Sequence, residues 1–160
     1  MVIKKATQKD YDRMADLWED SVASTYDFLT MKEIASLKKI IREKYFTNPE
    51  IAYYVLRDNK DEIVCFSGII GDKIEFLFVD PATFGHGHGK KMLIHALKNH
   101  GAVCVDVHQQ NMHALSFYSN YGFEVVEKSD KDIFGRLYPI CHLRISGKID
   151  DILNKLDSMD

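Results

Sequence analysis

The segment FGHGHGKK, at positions 84–91, combines residue types that could bind either a metal ion or an anion. His86 and His88 could ligate a transition metal together, but protein metal sites usually take three or four ligands, and no cysteine or carboxylate cluster lies nearby in the sequence. Glycines let an anion approach the backbone, and a helix N-terminus presents unpaired N–H groups to it. Lys90 and Lys91 add charge to the first helical turn, where cations are otherwise disfavoured. These residues favour a phosphate cradle, with a tight turn that needs glycine only for its dihedral angles as the alternative.

The segment does not match two familiar phosphate-binding motifs. A P-loop requires four residues between its glycines and then Lys followed by Ser or Thr, whereas three residues separate Gly85 from Gly89 and Lys91 follows Lys90. The dinucleotide-binding fingerprint requires a third glycine at the position of Lys90. The physical logic of these motifs still applies, because a strand, a glycine-rich turn and a helix follow one another here.

A second segment, NMHALSFYSNYGF at positions 111–123, places polar groups along one face of a predicted helix. Ala114 and Tyr118 lie three and seven residues after Asn111, so an amide, a small residue and a phenol fall in a row. A thin ligand could lie along this face and meet the hydroxyl group. On these residues alone, Tyr118 could equally be one more half-buried aromatic side chain beside the core.

The apolar pattern predicts the elements that must position these two segments. A capping box at Thr30 and Glu33 begins the second helix, while Asn111 and Gly122 suit the two ends of the fourth. The predicted strands are MVIKKA, IAYYVLR, EIVCFSGII, KIEFLFV, AVCVDVH, FEVVEK and RLYPICHLRI. The order β-α-α-β-β-β-α-β-α-β-β predicts an α/β (α+β) domain at residues 1–146, with a mixed, mostly antiparallel sheet flanked by four helices. A tail helix at 147–160 is expected to pack on this domain or on a second subunit.

Length and composition narrow the class of protein. The 160 residues suit one domain, and 46% hydrophobic with 28% charged residues is a globular rather than a disordered composition. The net charge of −3 argues weakly against nucleic acid or an anionic membrane as a partner. Cys65, Cys104 and Cys141 lie far apart in apolar runs, which predicts reduced, buried thiols in a cytoplasmic protein. The opening residues lack the apolar stretch of a signal peptide, and no apolar run is long enough to span a bilayer.

The two segments together resemble the signatures of the GNAT superfamily of N-acetyltransferases. VDPATFGHGHGKKMLIHAL is similar to the acetyl-CoA-binding motif of that family, which reads V-x-P, then Arg/Gln-x-x-Gly-x-Gly/Ala, then an apolar helix. NMHALSFYSNYGF resembles the later N-x-x-A-x-x-F-Y-x-x-x-G-F signature, and the order of strands and helices matches as far as about Ile145. The closest likeness is to small bacterial members. Phe84 stands where the family usually has Arg or Gln, a change that binding through backbone N–H groups would tolerate.

The resemblance implies acetyl-CoA as co-substrate, no metal, and direct transfer of the acetyl group to an amine. The pyrophosphate would lie on the amides of residues 85–90 and the pantetheine between the fourth and fifth strands, where an N–H near Val79 would polarise the thioester carbonyl. Tyr118 would protonate the leaving thiolate, since a phenol and a thiol have comparable pKa values. The cofactor-binding residues implied in this way are Leu77, Phe78, Val79, Phe84, Gly85, His86, Gly87, His88, Gly89, Lys90, Asn111, Ala114, Phe117 and Tyr118.

The group that deprotonates the acceptor amine stays open. Glu75 on the fourth strand and His108 at the end of the fifth are the candidates, with a water chain or no dedicated base as the alternatives. Three residues that break the helical pattern are predicted to help form the acceptor site: Tyr26, Asp27 and Phe28.

The acceptor is equally open among small amines, antibiotics, peptide N-termini and lysine side chains, and a homodimer would suit the family. The rival functions are a non-catalytic CoA-binding or sensing domain on the same fold, which an intact Tyr118 disfavours, and an unrelated metal- or nucleotide-binding protein.

Overall fold

One mixed sheet runs through the molecule in this computed structural model, which describes residues 1–132 and 135–157. Within those residues the strands are β1 (Ile3–Lys5), β2 (Ala52–Arg57), β3 (Ile63–Ile70), β4 (Lys73–Val79), β5 (Cys104–His108), β6 (Phe123–Ser129) and β7 (Ile140–Ile145). Their order across the sheet is β1-β2-β3-β4-β5-β7-β6. Neighbouring strands are antiparallel except for β4 and β5, which are parallel.

Five α-helices flank the sheet in the same part of the chain. They are α1 (Tyr11–Thr25), α2 (Met31–Ile40), α3 (His88–His100), α4 (Met112–Asn120) and α5 (Ile149–Asp157). A π-helical turn, Ile41–Tyr45, extends α2, and short 3-10 turns at Gln8–Asp10 and Pro81–Thr83 precede α1 and α3. None of these helices is both long and apolar enough to cross a bilayer. The predicted order of strands and helices is confirmed.

Side-chain caps fix where α2 and α4 begin. Glu33 N–H donates to Thr30 Oγ1 at 3.1 Å, and Thr30 N–H donates back to the Glu33 carboxylate at 3.2 Å, so the predicted capping box is present. Asn111 Oδ1 accepts a hydrogen bond from Ala114 N–H at 3.1 Å. These caps satisfy N–H groups that the first turn of a helix leaves without an intrahelical partner.

The two faces of the sheet carry separate apolar cores. Helices α1 and α2 cover the first, the α1–α2 face, where Met14 and Leu17 pack with Phe66. Helices α3, α4 and α5 cover the second, the α3–α4 face, where Val105 and Leu143 lie among the helix side chains. The apolar stripe predicted for α3 is fully buried, at Met92, Leu93, Ala96 and Leu97.

A β-bulge in β4 reverses which face its side chains occupy. Phe76 pairs with Gly68 and Ile74 pairs with Ile69, so Glu75 is an extra residue without a partner in β3. Residues two apart in a strand ordinarily share a face. Here Ile74 packs on the α3–α4 face, whereas Phe76 packs on the α1–α2 face.

Strands β4 and β5 separate soon after they meet. In the described part of the chain their pairing consists of Lys73 with Cys104 and Ile74 with Val105, although both strands continue well past these residues. The pairing ends where the bulge at Glu75 begins. A gap therefore opens in the middle of the sheet, with backbone groups of both strands along its edges.

The exposed edge of β4 presents N–H groups to this gap. Asp80 N–H donates to the Val64 carbonyl in β3 at 2.8 Å. Since N–H directions alternate along a strand, the N–H groups of Val79 and Leu77 point the other way, towards β5. The sheet thus offers hydrogen-bond donors at the positions where the family resemblance implies contacts with a pantetheine chain.

The last strand is shorter than the sequence predicted. It begins at Ile140 and not in the preceding RLYP, because Arg136 closes a turn by donating its N–H to the Asp132 carboxylate at 2.9 Å. Pro139 also lacks the N–H that a strand residue would donate. The predicted pairing of the last two strands is otherwise present, with β6 extending to Ser129.

Cys104 is less buried than the sequence predicted. Cys65 and Cys141 are 0% and 2% exposed, whereas Cys104 is half-buried; all three thiols are free. Because side chains alternate along β5, Val105 lies in the core of the α3–α4 face and Cys104 points to the opposite side of the sheet. There Arg144 Nη1 lies 2.9 Å from the Cys104 sulfur. The expectation of three buried thiols is therefore wrong at this position.

The packing of α5 on its own domain can be tested at Leu156, which is 1% exposed and lies in the core of the α3–α4 face. Leu156→Ala should lower the free energy of unfolding by about 2–5 kcal/mol, because it leaves a cavity. Urea unfolding followed by circular dichroism measures this change. Asn154→Ala, on the exposed side of the same helix, should change it by about 0.5 kcal/mol or less. Equal stability of Leu156→Ala and the wild type would contradict the packing.

Candidate active site

A cleft of about 340 Å³ passes through the gap between β4 and β5. Residues of both sheet faces line it, so it connects one side of the sheet with the other. Its helix end lies beside the start of α3, at Phe84 and Gly89. Its polar end lies on the α1–α2 face, at Lys73, Asp106 and His142.

The loop before α3 holds two glycines in conformations that side chains disfavour. Gly85 and Gly87 have φ angles of +86° and +81°, with nothing within 4 Å of an added Cβ, so the requirement is conformational. The helical ladder begins where Lys91 N–H donates to the Gly87 carbonyl at 3.0 Å. The amides of residues 87–89 lie ahead of that ladder, at the positive end of the helix dipole. This arrangement fits the pyrophosphate of a nucleotide cofactor.

Gly89 lets α3 approach the neighbouring wall of the cleft. An added Cβ would lie 3.1 Å from the Phe117 ring and 3.5 Å from Val79 Cγ2. Both of these neighbours line the cleft, so a larger residue at this position would displace its wall. The third glycine of FGHGHGKK is therefore required for packing, whereas the first two are required for their φ angles.

The charged side chains around the loop are arranged differently from the sequence prediction. The Lys91 ammonium group donates a hydrogen bond to the Met1 carbonyl and so links the N-terminus to α3. His88 is buried, and burial, with His86 and Lys91 nearby, lowers the pKa of its imidazole, which is therefore neutral at pH 7. Among residues 1–132 and 135–157, no three or more His, Cys, Asp or Glu side chains form a group that could hold a metal ion.

Phe84 forms an aromatic contact at the position where the family usually has Arg or Gln. Its ring stacks on His113 at a centroid distance of 5.1 Å and an interplanar angle of 26°. Phe84 belongs to the loop and His113 to α4, and both line the cleft. The stack therefore joins the two walls of the helix end.

A buried polar group lies at the start of α4. Asn111 is 2% exposed; its Oδ1 caps α4, and its side chain lies near the phenol of Tyr26. Tyr118, seven residues further on, is 5% exposed. Burial raises the pKa of both phenols, and the proximity of Tyr26 raises that of Tyr118 further. Both phenols therefore keep their protons at neutral pH and can donate them.

The predicted acceptor residues do not all reach the cleft. Tyr26 lines it, but Phe28 stacks behind Tyr26 at 5.3 Å, outside the lining, and Asp27 is exposed away from it. The two predicted bases both line it. Burial lowers the pKa of His108 despite Asp132 at 3.9 Å, while Glu75 lies 3.6 Å from the Lys73 ammonium.

The polar end contains a network that sequence reasoning missed. Asp106 Oδ2 lies 2.6 Å from Lys73 Nζ, and Asp106 Oδ1 lies 2.6 Å from His142 Nδ1. His142 Nε2 in turn lies 2.6 Å from Ser129 Oγ. Burial alone would raise the pKa of Asp106, but hydrogen bonds from Lys73 and His142 hold it below its ordinary value. The available signal was a polar residue between apolar ones in each of CVDVH and ICHLRI, namely Asp106 and His142. Only the register of β5 and β7 shows that these two residues meet.

The cleft gathers most of the predicted site residues, the loop and first turn carry five more, and Asp27 and Phe28 lie outside both. The predicted residues that line the cleft are Tyr26, Glu75, Leu77, Phe78, Val79, Phe84, Gly89, His108, Asn111, Ala114, Phe117 and Tyr118. The predicted residues in the loop and first turn, outside the lining, are Gly85, His86, Gly87, His88 and Lys90.

A mixed sheet split between its parallel strands, with a glycine-rich loop and a helix N-terminus at the split, defines the fold of GNAT acetyltransferases. Residues 49–125 match the family model described as an acetyltransferase (GNAT) domain. The chain is 31% identical over 141 residues to the peptidyl-lysine N-acetyltransferase YjaB of Salmonella typhimurium, which covers 88% of this chain and 95% of that protein. This chain therefore belongs to the GNAT family and is an N-acetyltransferase of the class that uses acetyl-CoA.

Solved structures share the same fold. The solution structure of apo-form YjaB from Escherichia coli superposes with a TM-score of 0.81 at 30% identity, covering 92% of this chain and all of that one. The PaiA N-acetyltransferase of Thermoplasma acidophilum, crystallised with coenzyme A, superposes with a TM-score of 0.70 at 21% identity, covering 91% of this chain and 98% of that one. The predicted GNAT fold is confirmed.

Gly87→Ala tests whether the loop holds acetyl-CoA. Alanine is strained in the left-handed conformation, so the loop should move its N–H groups out of position. We expect the dissociation constant for acetyl-CoA, measured by calorimetry, to rise at least about tenfold. Gly147→Ala is the matched control, because Gly147 has a φ of +98° and open space around it but lies away from the cleft. Unchanged binding in Gly87→Ala would contradict the assignment of the loop.

Proposed function

We propose that this protein transfers the acetyl group of acetyl-CoA to the side-chain amine of a lysine in a peptide or protein. The observation that carries the proposal is a continuous cleft, which connects the helix N-terminus suited to pyrophosphate with a polar pocket on the opposite face of the sheet. The relative named as a peptidyl-lysine N-acetyltransferase supports lysine as the acceptor.

The helix end of the cleft would hold the donor through the backbone. The amides of residues 85–90 would bind the pyrophosphate, and the N–H groups of Leu77 and Val79, which point into the gap, would bind the pantetheine. Bound acetyl-CoA supplies an activated acetyl thioester. The Val79 N–H would orient and polarise its carbonyl oxygen as an oxyanion-hole donor does.

Tyr118 is suited to the proton that the leaving sulfur needs. Tyr118 lines the cleft, and its raised pKa keeps the proton on the phenol oxygen until negative charge develops on the leaving sulfur. A buried phenol that also lines the cleft favours catalysis over a purely CoA-binding domain. Tyr26 lines the same cleft as Asn111 and Tyr118 and packs on the α1–α2 face.

The acceptor must lose a proton before it attacks, because a lysine ammonium has an ordinary pKa of about 10.4. His108 and Glu75 stay predictions for this step. His108 is neutral at pH 7, since burial lowers its pKa, but the rings of Tyr26 and Phe28 lie within 5.5 Å of it. The Glu75 carboxylate forms an ion pair with the Lys73 ammonium.

Lysine peptides with blocked N-termini test the acceptor class directly. Incubation with acetyl-CoA should add one acetyl group per modified lysine, detected by mass spectrometry, and peptides with arginine in place of lysine should stay unmodified. Acetylation of free polyamines but not of peptides would contradict the proposed acceptor and leave the donor site standing. The cytoplasmic location and a homodimer stay predictions from the sequence.

Tyr118→Phe tests the proton donor. Removing the hydroxyl should lower kcat about 100-fold, because general-acid catalysis typically contributes this much. The dissociation constant for acetyl-CoA should stay within about twofold of the wild type, since the ring remains. Tyr121→Phe, at the C-cap of the same helix and outside the cleft lining, is the matched control and should keep wild-type kcat. A Tyr118→Phe enzyme with wild-type kcat would exclude the phenol as the proton donor.

A further inference from the structure

Three side chains at the polar end form a directed chain of hydrogen bonds, which we name the Ser129 relay: Ser129, His142 and Asp106. They come from β6, β7 and β5, and Asp106 is the direct register partner of His142. Ser129 Oγ lies 2.6 Å from His142 Nε2, and His142 Nδ1 lies 2.6 Å from Asp106 Oδ1. All three line the cleft, although the donor site and the proton donor Tyr118 have no need of them.

The chemistry of the partners fixes the direction of these hydrogen bonds. An ionised carboxylate only accepts, so His142 carries its proton on Nδ1 and donates it to Asp106. In the neutral imidazole Nε2 then has a lone pair and accepts the Ser129 hydroxyl proton. The Ser129 oxygen keeps its own lone pairs, which are available to an N–H donor in the cleft.

Lys73 anchors the far end of the relay. Its ammonium lies 2.6 Å from Asp106 Oδ2, the oxygen that His142 does not use. Each carboxylate oxygen therefore has its own donor, and the carboxylate cannot rotate without breaking one of the two contacts. Two interactions thus fix the orientation of the His142 ring: Asp106 at Nδ1 and Ser129 at Nε2.

We propose that the Ser129 relay deprotonates the acceptor ammonium, an inference that rests on the proposed acetyl transfer to lysine. The ammonium gives one proton to Ser129 Oγ while the Ser129 hydroxyl proton passes to His142 Nε2. The products are a neutral amine, an unchanged serine hydroxyl and an imidazolium that faces the Asp106 carboxylate. His142 returns its proton to water after turnover. Ser129 contacts the substrate, while His142 and Asp106 act through it.

The charges around the relay oppose one another. Asp106 stabilises the imidazolium that forms, whereas the Lys73 ammonium on the same carboxylate disfavours it. The other titratable side chains that line this half of the cleft are Tyr26, Tyr45, Glu75, His108, Lys131 and Asp132. Among the bases, Glu75 faces Lys73, and His108 faces Asp132 and the aromatic rings, whereas His142 directs its Nε2 lone pair at the Ser129 hydroxyl in the cleft.

A pH profile separates a proton relay from a structural role. At pH 7, Ser129→Ala and His142→Gln should each lower kcat/KM for a lysine peptide about 100-fold. Without the relay only the neutral amine reacts, so the deficit should shrink steadily as pH rises towards the pKa of the amine, about 10.4. Ser24→Ala, an exposed serine of α1, is the control and should match the wild type at every pH. Calorimetry should show acetyl-CoA affinity within about twofold of wild type in all variants.

The possible failures are distinguishable. A wild-type enzyme that acetylates lysine peptides, with Ser129→Ala within about threefold of it at pH 7, overturns the relay and keeps the proposed function. A deficit that stays constant across pH also overturns the relay, because it indicates a structural role. Acetylation of other amines only overturns the lysine acceptor, and the same pH profile then tests the relay with that amine. Turnover with no amine overturns both.

The imidazole tautomer gives a second readout that needs no turnover. In the wild type, nitrogen NMR should show that the neutral imidazole of His142 carries its proton on Nδ1. In Asp106→Asn the amide oxygen should turn to the Lys73 ammonium, which can only donate, so the amide NH2 faces His142 Nδ1 and moves the ring proton to Nε2. An unchanged tautomer in a folded Asp106→Asn protein, or a wild-type proton on Nε2, would contradict the direction of the relay.

Discussion

The extra residue in β4 is the constraint on which the whole site depends. A strand without a bulge at Glu75 would stay paired with β5 along its length and would keep alternate side chains on constant faces. The bulge ends the pairing after Ile74 and moves Phe76 to the α1–α2 face. The same step turns the N–H groups of β4 towards open space. A sheet that would otherwise separate its two faces thus becomes a wall with a passage through it.

Placing chemistry on both sides of this passage solves a problem of compatibility. The pyrophosphate cradle needs backbone N–H groups, glycines and a helix dipole, whereas proton transfer from an amine needs titratable side chains. On the α3–α4 face, side chains such as Leu93 and Val105 keep the surroundings apolar. On the other face, the same strands carry Lys73, Asp106 and His142. Buried Tyr118 and Asn111 line the same cleft as the apolar side chains of one face and the polar side chains of the other.

Local signals in the sequence predicted most of the fold and the helix end of the site. The capping residues Thr30 and Asn111 act within four residues of themselves, and the stripe on α3 is a local period, so both were readable. The loop glycines were readable because their requirement is a backbone angle. The polar end was not, because Asp106 and His142 are far apart in sequence and meet only through the register of β5 and β7. A break in helical periodicity likewise does not say which side chain faces the cleft, and Asp27 lies outside the lining.

The polar network has a cost that argues for a role. Taking Asp106 partly out of water is unfavourable, and an apolar side chain at the same position of β5 would avoid it. The structure instead offsets burial with two donors, Lys73 and His142, one for each carboxylate oxygen. If stability alone mattered, Lys73 would suffice as the partner of Asp106. The additional hydrogen bond from His142 to Asp106 turns the Nε2 lone pair of His142 towards the Ser129 hydroxyl in the cleft. A proton acceptor requires this geometry, whereas a structural ion pair does not.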